Sequence, residues 1–248
     1  MTPSLSPVLA TQSVCKAFGG LKAVNNVTVS IRDGELVGLI GPNGSGKTTL
    51  LNMLSALLSP DSGEILLDQR PVQRIKADAL ARLGVARMFQ LTRVFRQMSV
   101  LDNLMTSGFA QGMDSVSARE RAETLLRELK LIDLINLDAG SLSGGQQKLL
   151  EFGSCFMSRP RVALLDEPFA AIHPTMKETM SEFIVRRHQE GQTFIVVSHD
   201  MPIVSELCKR SICMNAGEII CDGATADVLN DAVVIEAYLG DTSSTEAH

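Results

Sequence analysis

The sequence predicts an α/β fold built on a mostly parallel sheet, and three observations predict it. Short apolar runs of strand length recur at 36–40 ("LVGLI"), 161–167 ("RVALLDE") and 193–200 ("TFIVVSHD"). A run that is apolar at successive positions suits a strand covered on both faces. Stretches with apolar residues at helical spacing separate these runs, and an alternation of strand and helix implies parallel strands joined by crossovers. No convincing strand interrupts the stretch from about 91 to 159, which reads as a helical insertion in that core.

Taken in order, "VTVSIR" at 27–32 alternates apolar and polar residues, as a half-buried antiparallel strand does. "RDGE" at 32–35 is a turn, and the buried strand 36–40 follows. A helix is expected over "TTLLNMLSALLS" at 48–59, stopping before Pro60. "PDSG" at 60–63 turns the chain into a strand at 64–68, and "GVARMF" at 84–89 is a further strand ending at Gln90. Helices are expected at 100–108 and, as one long element, at 117–135. A helix at about 174–189, closed by Gly191, joins the last two buried strands. "KRSICMNAGEIICDG" at 209–223 reads as a hairpin turning at Asn215 to Gly217. A final helix covers 232–240, and 241–248 is expected to be a loose tail. The whole is expected to form one domain over 1–248, with a core of about 1–90 and 160–240 and a helical subdomain of about 91–159.

Composition narrows the function. The 248 residues are 45% hydrophobic and 21% charged, so the chain can bury a sizeable core. A formal net charge of −5 argues against a broad basic surface for nucleic acid or anionic lipid. No apolar run approaches the ~18 residues that a spanning helix needs. The N-terminus lacks the basic and apolar regions of a secretory signal, so a cytoplasmic protein is expected. Five cysteines at 15, 155, 208, 213 and 221 form no CxxC pair; reduced, mostly buried thiols are expected rather than a metal site shared with His199.

Residues 41–48, "GPNGSGKT", fit G-x-x-x-x-G-K-[ST] between a buried strand and a helix. Glycines let the backbone curl until the amides of residues 44–49 face inward, and the helix start adds partial positive charge. Gly41, Pro42, Asn43, Gly44, Ser45, Gly46, Lys47, Thr48 and Thr49 are therefore the candidate phosphate cradle, Lys47 reaching the outer phosphates and Thr48 holding Mg²⁺. Asp166 and Glu167 end a buried strand, where open α/β sheets place their ligands. Behind such a loop the pair reads as catalytic, Asp166 meeting Mg²⁺ through its water shell and Glu167 polarising the attacking water. "SLSGGQQKLLEFG" at 141–153 puts Ser143, Gly144, Gly145 and Gln146 at the start of an amphipathic helix, a second terminus receptive to phosphate.

Placed between the other two motifs, this third one resembles the signature of ATP-binding-cassette (ABC) nucleotide-binding subunits, and the resemblance covers about residues 8–240. It implies a P-loop NTPase fold of RecA-like type, with an antiparallel β subdomain beside the inserted helical one. It also implies that Phe18 stacks on adenine, that Gln90 is the Q-loop glutamine and a Mg²⁺ neighbour, and that His199 is the switch histidine. ATP and Mg²⁺ are the implied cofactors. Two cassettes would face head to tail, each ATP lying between one chain's Lys47 loop and the other's Ser143 turn. One departure stands out: where relatives commonly read S-A-L-D, or G-L-N, this chain has Ala170-Ala171-Ile172-His173.

The stretches 18–31, 89–95 and 234–240 resemble importer ATPases for branched-chain amino acids and related amides, with lipopolysaccharide-export ATPases as the alternative. An importer implies transmembrane permease subunits, an extracytoplasmic solute-binding protein, and a second ATPase copy or relative, with this chain on the cytoplasmic face of the membrane. Val94, Phe95, Met98, Val100 and Leu101 are expected to line a groove for a permease helix. A soluble ABC factor of translation or DNA repair fits less well, because one motif set, no heptad arm and an acidic balance are found here.

Overall fold

The computed structural model describes residues 6–89 and 93–245, with side chains through Leu239. Strands β1 (Pro7–Phe18) and β2 (Leu21–Arg32) form an antiparallel hairpin, and β3 (Leu36–Ile40) follows at once. The alternation at 27–32 marks only the second half of β2. Ser13 and Asn26 take positive φ, and the register slips along the pair, so the inward side chains lose strict period two.

Helix α1 (Lys47–Leu54) is shorter than the 48–59 pattern, because Ser55 caps it and Ala56 turns left-handed. Then come β4 (Ser62–Leu67), β5 (Arg70–Pro71), α2 (Ala77–Arg82) and β6 (Val85–Met88). The helical stretch holds α3 (Val100–Ala110), α4 (Ser115–Glu128) and α5 (Gly144–Cys155). The single helix expected over 117–135 breaks after α4: Lys130 has φ 58°, and Ile132–Leu134 is a 3₁₀ turn. Next are β7 (Val162–Asp166), α6 (Pro174–Gln189), β8 (Thr193–Val197) and α7 (Met201–Leu207). The chain closes with β9 (Arg210–Asn215), β10 (Glu218–Ala224), α8 (Thr225–Asn230) and α9 (Ala232–Thr245). The hairpin between β9 and β10 turns at Ala216 and Gly217, both with positive φ, as a two-residue turn of that twist requires. The tail expected from 241 is helical through Thr245. Helices α2, α7 and α8 are too short for a period to show in the sequence.

Two sheets result. One runs β2-β1-β4-β5 and is antiparallel; the other runs β10-β9-β3-β8-β7-β6 and is parallel except at its β10 edge. Each central strand feeds two cores by alternation. Val37, Leu39, Val162, Leu164, Ile195 and Val197 face α1 and the antiparallel sheet. Leu36, Ile40, Ala163, Leu165, Phe194 and Val196 face the helices. On the helical side Phe152, Phe156 and Phe183 pack in tilted and edge-on pairs, with ring centres 4.7–5.2 Å apart. Burying one such side chain stabilises by about 1.5–3 kcal/mol. Arg161 joins the layers at the foot of β7, gripping Asp33 and Asp68 through paired hydrogen bonds of 2.7–3.0 Å. This architecture leaves the C-terminal ends of β3, β7 and β8 side by side, which is where the candidate chemistry sits.

Candidate active site

The loop after β3 needs glycine at two points. A β-carbon on Gly46 would overlap the Ala23 carbonyl, and one on Gly41 would overlap the Met214 carbonyl; both residues also have positive φ. No side chain caps the start of α1 at Gly46, and the first residues of the helix, Lys47, Thr48 and Thr49, line the cleft. Lys47 Nζ spans the loop, donating to the carbonyls of Gly41 and Pro42 at 2.7 Å each.

A cleft of ≈ 360 Å³ opens above the loop. Asn43, Gly44, Gly46, Lys47, Thr48 and Thr49 line it from one side, Asp166 and Glu167 from another, and Phe18 from the antiparallel sheet. Gly41, Pro42 and Ser45 are buried in the loop itself. Phe18 is 52% exposed, a flat apolar ring offered to the cleft. The structure therefore gathers three segments far apart in sequence.

The two strand-end carboxylates differ sharply. Asp166 is buried, and its Oδ2 accepts a 2.9 Å hydrogen bond from Arg87, whose guanidinium also donates to Ser55 at 3.1 Å. Burial pushes the Asp166 carboxyl up, while Arg87, then Thr48 and Lys47, draw it back down. Its Oδ1 is buried without a hydrogen-bond partner. A buried, unpaired carboxylate oxygen in a cleft that holds Thr48 and Lys47 is a donor set suited to a hard cation beside phosphates. Glu167 has φ 50°, a left-handed turn that ends the strand and aims its side chain at the cleft. Its Oε2 lies 2.9 Å from Nδ1 of His199, which is itself largely exposed.

Ser143, Gly144, Gly145 and Gln146 are not brought to this cleft; none of them lines it. They start α5, where Ser143 and Gln146 form a reciprocal capping box. Ser143 and Gly144 face solvent. Gln90 lies outside the described residues. His173 takes the cap position of α6, its Nδ1 lying 2.9 Å from the Thr175 hydroxyl and receiving the Thr175 amide at 3.4 Å. An imidazole nitrogen thus stands where an aspartate or asparagine oxygen would cap. Of the groove residues, Val100 and Leu101 belong to the core, Val94 packs against it, Met98 is half-buried, and Phe95 is exposed.

The family model described as ABC transporter matches residues 24–170. The chain belongs to the ABC transporter family. A second model, branched-chain amino acid ATP-binding cassette transporter, matches residues 218–243 of this cassette. The cassette is 35% identical over 251 residues to the high-affinity branched-chain amino acid transport ATP-binding protein LivG of Salmonella typhimurium, covering 95% of this chain and 98% of that one. It is also 35% identical over 237 residues to the lipopolysaccharide export system ATP-binding protein LptB of Acidithiobacillus ferridurans, covering 96% and 98%. Among solved structures, the ADP form of the cassette MJ1267 superposes with a TM-score of 0.84 at 31% identity, covering 94% of this chain and 98% of that one. The cassette is thus an ATP-binding, ATP-hydrolysing subunit of a transport system with a P-loop NTPase fold.

Three residues were missed from sequence. Lys148, buried in α5, donates to the carbonyls of Glu167 and Ala170 at 2.8 and 2.7 Å and so holds the loop after β7. Its signal was a lysine on the inward face of the signature helix. Arg87 gave a weaker one, a lone cation inside a strand otherwise apolar. Tyr238 gave none, being one more apolar residue at helical spacing.

Proposed function

We propose that this cassette binds MgATP in the cleft above residues 41–49 and hydrolyses it to drive uptake of branched-chain amino acids or related small solutes through permease partners. The observation that carries the chemistry is the meeting of Lys47, Asp166 and Glu167 at one cleft that no residue of the Ser143 turn reaches. The match of the C-terminal segment to branched-chain cassettes supports the cargo class.

Phe18 stacks on the adenine, and the amides at the start of α1, with Lys47, take the phosphates. Thr48 and Asp166, with Gln90, hold magnesium, which when bound draws off charge from the phosphate oxygens. Glu167 accepts the proton of the attacking water or orients it, and His199 senses the outer phosphate from beside Glu167. Two cassettes close head to tail, so that Ser143, Gly144, Gly145 and Gln146 of one cap the ATP of the other; loss of phosphate removes the contacts that favour closure.

Among the described residues no helix is long and apolar enough to cross a membrane. Permease subunits therefore place the cassette at the cytoplasmic face of the membrane, with Phe95 among its contacts, and an extracytoplasmic solute-binding protein delivers cargo. Nucleic acid is not a partner in this reading. The similarity to LptB supports a second reading, a lipid exporter. Deleting the gene and measuring leucine uptake separates the two: uptake is lost and restored by the wild type but not by Lys47→Ala. Intact uptake with defective lipid export would overturn the importer reading.

A further inference from the structure

Gly41 is the first residue past the ladder of β3. The sheet pairs Ile40 with Cys213 and Leu39 with Val197, and there the registered pairs end. A buried amide beyond that point needs another acceptor. It finds one in the C-terminal helix: Gly41 N–H donates to the Tyr238 hydroxyl at 2.6 Å. On its other side, the Gly41 carbonyl accepts from Lys47 Nζ at 2.7 Å. One residue thus links α9 to the lysine of the loop.

The helix that brings Tyr238 there is firmly seated. Asp231 caps it, accepting from Val233 and Val234 amides at 2.8 and 3.3 Å. Val234, four residues before Tyr238 and so on the same face, is buried in the core with Val228 of α8, and the Tyr238 ring packs against that core. Burial pushes the Tyr238 phenol up, so the hydroxyl stays neutral. Residues 218–243, the segment matched by the branched-chain cassette model, contain all of these groups.

We propose that Tyr238 is a positioning residue for the nucleotide cradle: its hydroxyl fixes the entry of the loop and, through Gly41, the lysine behind it, so that nucleotide affinity depends on the C-terminal helix. This rests on the reading of residues 41–49 as that cradle. Removing the hydroxyl while keeping the ring leaves α9 packed and the Gly41 amide unpaired.

The chain has one tyrosine and no tryptophan, so its tyrosine emission reports Tyr238 alone. Wild type, Tyr238→Phe and Lys47→Ala are titrated with a fluorescent ADP analogue well below their melting temperatures. Tyr238→Phe is expected to bind about 3- to 10-fold more weakly, the range of one net hydrogen bond. Separately, inorganic pyrophosphate, which does not absorb where tyrosine does, is expected to change the tyrosine emission of the wild type but not of Lys47→Ala. A merely structural role would lower the melting temperature of Tyr238→Phe, leave its affinity at the wild-type value and leave the emission indifferent to pyrophosphate; that outcome overturns the inference. Should Lys47→Ala also bind as wild type does, the cradle itself has been misassigned; weakening in Lys47→Ala alone overturns only the role of Tyr238.

Discussion

Asp166 and Glu167 are neighbours in sequence and opposites in surroundings. Asp166 ends inside the protein, neutralised by Arg87; Glu167, one left-handed residue later, meets the cleft and His199. Replacing Glu167 with Gln keeps size and polarity but removes the proposed proton acceptor. Turnover is expected to fall by about 10² or more, with ATP binding retained, as phosphate release and nucleotide titration would measure. Glu151 on α5 makes a second residue-scale prediction. Burial raises its carboxyl to about 7, against smaller opposing pulls from the Arg93 amide, Lys148 and Arg93, and its Oε2 has no hydrogen-bond partner. A carboxyl raised in the folded state binds its proton more tightly there than in the unfolded chain. Its contribution to stability is therefore full below the ordinary carboxylate range and is lost as pH rises through about 7. Thermal melts across pH should show Glu151→Gln more stable than the wild type above that point, with the two curves converging toward pH ~5.

At the scale of elements, the strand ends are held by a few buried polar ties. Arg87 on β6 fastens the end of β7 through Asp166 and the end of α1 through Ser55. Both partners of the ion pair are almost wholly buried, 6% and 2% exposed, so truncating one strands the other. Arg87→Met should cost about 3–5 kcal/mol in urea denaturation. A wild-type denaturation midpoint in that variant would show that the pair is not what holds the strands. The start of α5 is fixed differently, by local chemistry: Ser143→Ala removes half of the capping box and should cost about 1 kcal/mol.

For the whole molecule, the proposed head-to-tail pairing predicts that one chain alone holds an incomplete site. The Ser143 turn faces solvent while the cleft stands open beside Glu167. A β-carbon on Gly144 would meet nothing within 4 Å in its own chain. Gly144→Asp should therefore leave the monomer's melting temperature near wild type. Placed against a second chain's phosphates, the new carboxylate repels them. In a Glu167→Gln background with ATP, light scattering should show dimers, and adding Gly144→Asp should abolish them. Dimers that survive the aspartate would remove the head-to-tail arrangement from consideration.

The sequence alone determined the parallel core, because strands apolar on both faces write continuous runs, and it determined the glycine loop between β3 and α1, because a glycine loop ending in lysine is a local device. It also placed Asp166 and Glu167 at a strand end. The start of α5 at Ser143 was legible in the sequence, whereas its reciprocal bonding with Gln146 emerged in the structure. What only the tertiary structure decided depends on groups distant in the chain. The β1–β2 hairpin hid behind irregular register, the break after α4 behind a continuous helical pattern, and the short helices behind too few turns. Arg87 on Asp166, Lys148 on the Glu167 carbonyl and Tyr238 on Gly41 span 79, 19 and 197 residues of sequence. No local period encodes such pairs; they exist because the sheet leaves buried amides, carbonyls and carboxylates that must find partners wherever the fold brings them.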